Sequence, residues 1–384
     1  MEKNMTQEFI NLYGDGGQVI EFFAPGRVNL IGEHIDYNGG FVFPCALDFG
    51  TYAAVRLRDD NTVNFATLNF DKKVALDLGD VTYKEEDDWT NYPKGVIKEF
   101  QNKGFDLKGF DVLFYGNIPN GSGLSSSASL EVLTGVILND LFDCKVDMVE
   151  IVKMSQSAEN NFVGVNCGIM DQFAVGMGKK DHAILLDCNT LDYTYVPLVL
   201  DGVKIVIGNT KKRRGLADSK YNERRSECDN ALVELQTKLD IGSLCEMDGP
   251  TFESHRHLIT KKIARDRVEH AVYENVRTKN AKAALKAGDI ATFGVLMNQS
   301  HDSLKNLYEV TGIELDTMVE EARKIEGTIG ARMTGAGFGG CTVALVKEEA
   351  VDKFIEEVGK NYQEKIGLKP EFYVANVGQG AGRL

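Results

Sequence analysis

Apolar and polar positions follow different periods in the two halves of the chain. In the first half the alternation is short, and residues 19–23, 51–58, 62–68 and 73–78 each read as a strand. Residues 110–115 form an aromatic and β-branched run that predicts a central strand. It leads into GNIPNGSGLSSSASLE at 116–131, after which Leu130, Leu133, Ile137 and Leu141 mark one face of a helix. Helices are also expected over 91–101 and 146–162, and strands over 183–187 and 193–197. After an apolar strand at 203–207 the period lengthens, with helical patterns over 216–239, 261–287 and 290–307. The tail alternates strand, helix and strand around 328–334, 341–346, 351–361 and 372–377. The shift near residue 200 predicts two α+β domains, a strand-rich 1–200 and a helix-rich 201–384.

Composition narrows the class. A hydrophobic fraction of 43% with 26% charged residues is that of a soluble globular chain. The net charge of −14 argues against nucleic-acid binding, which needs a basic face. Seven scattered cysteines without a CxxC pair suit reduced thiols. No apolar run approaches the ~18 residues of a membrane span, and the first residues lack the pattern of a secretory signal. A cytoplasmic protein, monomeric and without membrane or nucleic-acid partners, is expected.

The loop between the central strand and its helix holds Gly121, Gly123 and the serines 125–127. Glycines allow close backbone approach, serines can cap the helix, and a helix N-terminus attracts phosphate. A plain serine-capped turn is the alternative. The loop lacks the Gly-Lys-Ser/Thr of a P-loop and the glycine spacing of a dinucleotide fingerprint.

Glu33, His34 and Asp36 follow Arg27 closely and sit between apolar runs. Burying so many polar groups is costly unless they meet partners, and a polyhydroxylated ligand would supply them. A solvated loop is the simpler reading, and a metal site a third. Asp171 is a lone acid among apolar and small residues, able to cap a helix or to orient a hydroxyl nucleophile. Ser127 and Glu159 are hard oxygen donors that could anchor magnesium, although Glu159 alone reads as a surface residue. Lys211 to Arg214 is a basic loop that is either solvated or turned toward a polyphosphate, and Tyr221 is either core or ligand.

GRVNLIGEHIDYNGG resembles the galactokinase signature. GSGLSSSASLE is similar to the ATP loop shared by galactokinases, homoserine kinases, mevalonate kinases and phosphomevalonate kinases, and MTGAGFGGC to their C-terminal glycine motif. CGIMDQ and YNERR also fit galactokinases. The resemblance implies two α+β domains with a site in the cleft between them. It also implies ATP- and Mg2+-dependent phosphorylation of the anomeric hydroxyl of galactose. Asp171 and Arg27 would be catalytic, and Glu33, His34, Asp36, Gly168 and Tyr221 would hold the sugar. Thr67, Trp89, Gly121, Ser122, Gly123, Leu124, Ser125, Ser126 and Ser127 would hold ATP, with Ser127 and Glu159 on the metal. A kinase for a relative such as N-acetylgalactosamine and a non-catalytic galactose and ATP sensor are the alternatives. The intact Ser127 and Asp171 count against the sensor.

Overall fold

The computed structural model describes residues 4–118, 123–212 and 217–384. Helix α1 (Met5–Tyr13), N-capped by the Asn4 side chain, leads to strands β1 (Ile20–Asn29), β2 (Phe41–Val42), β3 (Pro44–Leu57), β4 (Thr62–Thr67) and β5 (Val74–Asp77). Helix α2 (Asn91–Asn102), β6 (Phe110–Gly116), α3 (Ser126–Leu141), α4 (Met148–Ser157) and α5 (Met170–Met177) follow, then β7 (His182–Asp187) and β8 (Tyr193–Pro197). The second half runs β9 (Val203–Asn209), α6 (Ala217–Leu235), α7 (Gly249–His255), α8 (Lys262–Lys286), α9 (Ile290–Ser303) and α10 (Gly312–Ala322). It ends with β10 (Thr328–Thr334), β11 (Cys341–Lys347), α11 (Val351–Ile366), β12 (Glu371–Ala375) and β13 (Gly382–Arg383).

The strands make three sheets, ordered β13-β1-β3-β6-β4-β5, β10-β11-β9-β12 and β2-β7-β8. Every pairing is antiparallel except β4 with β6. Strands β7 and β8 join β2 in a small sheet of their own. One result differs from the sequence pattern. The last strand, β13, crosses back to pair with β1, so the end of the second half completes the first sheet.

Helix α3 is not the one-faced helix that its leucine spacing suggests. Residues 128–129 and 131–138 are all buried, so it is enclosed on nearly every side, while Leu130 and Leu141 are only partly covered. A helix covered all round need not show a 3.6-residue stripe. It packs with α2 on the first sheet, where Phe22, Val55, Phe65, Phe110, Val112 and Phe114 form the core. A second core joins the two halves: Val28, Leu30 and Phe43 pack with Ile205, Ile207, Phe293, Met297 and Val343. This shared apolar layer holds the walls of the cleft in register.

Candidate active site

Strand β1 extends past the predicted 19–23 and carries the first polar signature into the cleft. Its pairing with β3 slips between Pro25 and Arg27. A bulge of this kind re-aims the side chain that follows it. Gly26 lies against Leu124 and Ile118, with 3.1 Å between a notional Cβ and the Leu124 carbonyl oxygen, and Arg27 N–H donates to that same oxygen at 3.3 Å. Arg27, 2% exposed, then meets Asp171 in a two-pronged ion pair, Nε to Oδ1 and Nη2 to Oδ2, both at 2.8 Å. Its remaining nitrogen, Nη1, donates to the Gly123 carbonyl at 2.8 Å.

Asp171 is in the first turn of α5, where the helix dipole favours a carboxylate. The residues before it hid this helix, because glycine and polar residues precede it. Ser125 sits in the left-handed region at φ 63° and donates its hydroxyl to Asp171 Oδ2 at 2.5 Å. It therefore does not cap α3 through its side chain, contrary to the expectation for the serine loop, and the first N–H groups of α3 keep no side-chain cap. Gly121 and Ser122 lie outside the described residues. Leu124 is fully buried in the core between the halves, so only its backbone could serve a phosphate.

A polar cavity of about 200 Å³ opens above this pair, lined from the first half by Arg27, Asp36, Ser127, Glu159, Gly168 and Asp171 and from the second by Tyr221, Gly335 and Ala336. Glu33 and His34 line it too, yet their polar atoms are engaged. Glu33 Oε1 accepts from Gly335 N–H at 2.6 Å, and Oε2 accepts from Asn29 Nδ2 at 2.7 Å. Glu33 thus ties the C-terminal glycine motif to β1. His34 Nε2 donates to the Ala336 carbonyl at 3.1 Å, which leaves Nδ1 to accept from Tyr37 Oη at 2.8 Å. Burial and His270 push the His34 ring down to about 3, so it is neutral. His34 also holds φ 61°, a strained value for a side chain of its size.

Asp36 and Tyr221 line the cavity with polar atoms as well. The Asp36 carboxylate takes a hydrogen bond from the Tyr37 amide, and burial, then Asp171, push it up to about 7. A Cβ on Gly168 would collide with Asp36 Oδ2, so only glycine leaves that carboxylate in place. The Tyr221 ring rests on His34 and Tyr37, with centroids 5.6 and 5.4 Å apart. Burial, then Asp36, raise its hydroxyl well above the usual range, so it stays a donor.

A second cavity, of about 290 Å³, adjoins the first and shares Tyr92 and Ser127 with it. It is more apolar, with Phe70, Trp89, Phe114, Ile118 and Leu130 on its walls beside Thr67 and Ser126. Trp89 stands edge-on to Phe65 and Phe114, at 6.5 and 5.9 Å. The turn before it carries Asp88 at φ 52° and ψ −125°, held by the fully buried Lys94, whose Nζ donates to Asp87 at 2.8 Å. Thr67 spends its hydroxyl on Asn69 Oδ1, and Asn69 clasps Gly116 through both backbone groups.

Glu159 is buried, not a surface residue, because α4 ends in a π turn over Ala158–Val163 that rolls it inward. Ser127 donates to it, and burial, then Asp171, push its carboxyl up to about 7. Beneath it lies Glu131, raised well above the carboxylate range by burial and then by Glu159. Glu131 did not stand out in the sequence, since it falls inside a helical run, and its amide partner Gln172 drew no reading of its own beside Asp171. Oxygen donors from Ser127 and Glu159 fit a hard divalent cation. Among the described residues no cluster of three or more metal-binding side chains occurs. In the basic loop, Lys211 pairs with Glu371 and Lys212 with Glu314, so neither is directed at a phosphate, while Arg213 and Arg214 lie outside the described residues.

Three family models match: the galactokinase galactose-binding signature over residues 7–57, the GHMP kinases N terminal domain over 91–179 and the GHMP kinases C terminal over 281–364. A galactokinase from Fusobacterium nucleatum is 58% identical over 388 residues, covering 100% of both chains. One from Clostridium acetobutylicum is 60% identical over 366 residues, covering 94% of each. The crystal structure of Lactococcus lactis galactokinase complexed with galactose superposes with a TM-score of 0.97 at 50% identity, covering 99% of this chain and 98% of that one. Methanococcus jannaschii mevalonate kinase, at 20% identity and a TM-score of 0.69, shares the fold.

Proposed function

The chain belongs to the galactokinase family, and we propose that it phosphorylates galactose at its anomeric hydroxyl with ATP, the polar cavity holding the sugar and the apolar cavity the adenine. One observation carries this assignment. The two cavities meet at Ser127, beside the Arg27–Asp171 pair, so a sugar hydroxyl and a γ-phosphate would face each other there.

Phosphoryl transfer spreads charge over a loosely bound phosphoryl group, so positioning and neutralisation dominate. Arg27 is fixed at all three nitrogens and presents an immobile positive charge beside the loop. The Asp171 carboxylate holds two Arg27 bonds and one from Ser125, leaving acceptor capacity for one sugar hydroxyl. Asp171 orients that hydroxyl and takes its proton late, when the oxygen has become acidic. Asp36 accepts from a ring hydroxyl and Tyr221 donates to one, while Glu33, His34 and Gly168 keep them in place. Ser127 and Glu159 would hold Mg2+ on the nucleotide, and when bound the ion neutralises charge on the β- and γ-phosphates.

None of the seven cysteines is in a disulfide, and no helix among the described residues is long and apolar enough to cross a membrane. The test of function is ADP release over a sugar panel with ATP and magnesium, with the phosphate located by NMR. Galactose should respond most strongly and give the 1-phosphate. Preference for N-acetylgalactosamine, or phosphate on another oxygen, would overturn the assignment.

A further inference from the structure

Glu131 lies one helical turn after Ser127 on α3, fully buried and outside the cavity lining. Its carboxyl touches that of Glu159. Gln172, next to Asp171 on α5, donates from one nitrogen to both: 3.1 Å to Glu131 Oε2 and 2.7 Å to Glu159 Oε2. Three elements that each carry a residue of the transfer site (Ser127, Glu159 and Asp171) therefore converge on one amide nitrogen. The arrangement is costly, because Glu131 Oε1 and Gln172 Oε1 are buried with no partner among the described residues. An apolar pair of similar shape would be cheaper to bury at this depth. A costly polar group kept under an active site is explained when its partner must be aimed.

We infer that Glu131 and Gln172 are positioning residues that aim the Glu159 carboxylate at the metal of the metal–nucleotide complex. The Gln172 amide at 2.7 Å and the Cys167 thiol, donating from Sγ at 3.6 Å, hold the same Glu159 oxygen, so the other oxygen is the one turned to the metal. Glu131 blocks retreat into the core. The inference rests on the reading of Ser127 and Glu159 as the metal anchor.

The experiment measures Mn2+ affinity of the full-length protein with ADP by electron paramagnetic resonance, and galactose affinity by calorimetry. It compares Glu131→Leu, Glu131→Gln, Gln172→Met and Glu159→Gln. Glu131→Leu and Gln172→Met are each expected to weaken Mn2+ by about 10-fold or more, as loss of outer-shell partners does, with galactose affinity within about 2-fold of the parent. Glu131→Gln keeps a hydrogen-bonding head and should stay within about 3-fold of the parent for Mn2+. If Glu131→Leu does not fold, Gln172→Met decides. Mn2+ affinity unchanged in these variants while Glu159→Gln weakens it would overturn the positioning role and leave the metal anchor standing. No effect of Glu159→Gln would remove the anchor, and the inference with it. Equal losses of metal and galactose affinity would reduce Glu131 to a general structural part.

Discussion

The two cavities that meet at Ser127 are built in opposite ways. The apolar one is drawn from the first half alone and extends its core: Phe114 and Trp89 serve both as packing and as wall. The polar one is assembled from both halves, with Tyr221, Gly335 and Ala336 brought against β1 and the turn after it. It also keeps groups that burial disfavours, among them a half-buried carboxylate, a strained histidine and an arginine held at all three nitrogens. A nucleotide base is flat and apolar enough for core-like walls to suit it. A sugar is recognised by hydroxyl positions, and that requires fixed polar atoms with unused capacity, kept at some cost in stability.

The largest expected effect tests that cost against specificity. Sites built around one hydroxyl reject an analogue lacking it, so glucose should be phosphorylated at least ~10³-fold less efficiently than galactose. Asp36→Ala should shrink this ratio mainly by harming galactose. Steady-state kinetics on both sugars would check it, and a parent protein handling glucose within about tenfold of galactose would break the comparison. Next in size, Asp171→Asn should cut turnover by ~10² or more while both substrates bind within about tenfold of the parent. Near-normal turnover in that variant would take Asp171 out of the mechanism.

How much of this was legible in the sequence follows the same divide. The strand, loop and helix around 110–141 and the polar signature after β1 could be read directly, because local pattern marks them. The roles inside the signature could not. Glu33 and His34 read as ligands from residue type, and both do line the polar cavity; the bonds that fix them, to Gly335, Asn29 and Ala336, are set only by folding. Glu159 looked solvent-facing until a π turn rolled it inward, and periodicity rules assume α geometry throughout. Glu131 was hidden because a polar residue inside a helical run normally marks the wet face, whereas α3 has almost none. The return of β13 to β1 is carried by two residues, too few for any periodic signal.

Smaller effects sharpen the comparison. Tyr221→Phe removes a neutral hydrogen bond of about 1 kcal/mol and should reduce galactose efficiency about 5-fold, less than Asp36→Ala does. Kinetics of the two variants side by side would show the order, and a larger loss for Tyr221→Phe would contradict it. The smallest effect concerns stability. Asp36 in the ligand-free fold has its carboxyl raised to about 7 by burial and Asp171, whereas in the unfolded chain it ionises near its ordinary 3.8. Ionised Asp36 therefore destabilises the empty fold, fully above pH 7 and progressively less as the pH falls toward 4. Asp36→Asn should raise the melting temperature at pH 8 by about 1–3 °C and by less at pH 5. A gain independent of pH would show that the carboxylate is not strained.

The division of labour between the cavities is tested most directly by measuring galactose and ATP dissociation constants, each alone, for Asp36→Ala and Phe70→Ala. Phe70 lines the apolar cavity but is 51% exposed, so its loss spares the core. The expected pattern is crossed. Asp36→Ala should weaken galactose by about 10-fold or more, as a lost charge-assisted hydrogen bond implies, and leave ATP within about 2-fold. Phe70→Ala should weaken ATP by about 5-fold, the value of one aromatic contact, and leave galactose unchanged. If Asp36→Ala weakens ATP and spares galactose, or if each variant weakens both ligands equally, the polar cavity is not the sugar site and the apolar one does not hold the base.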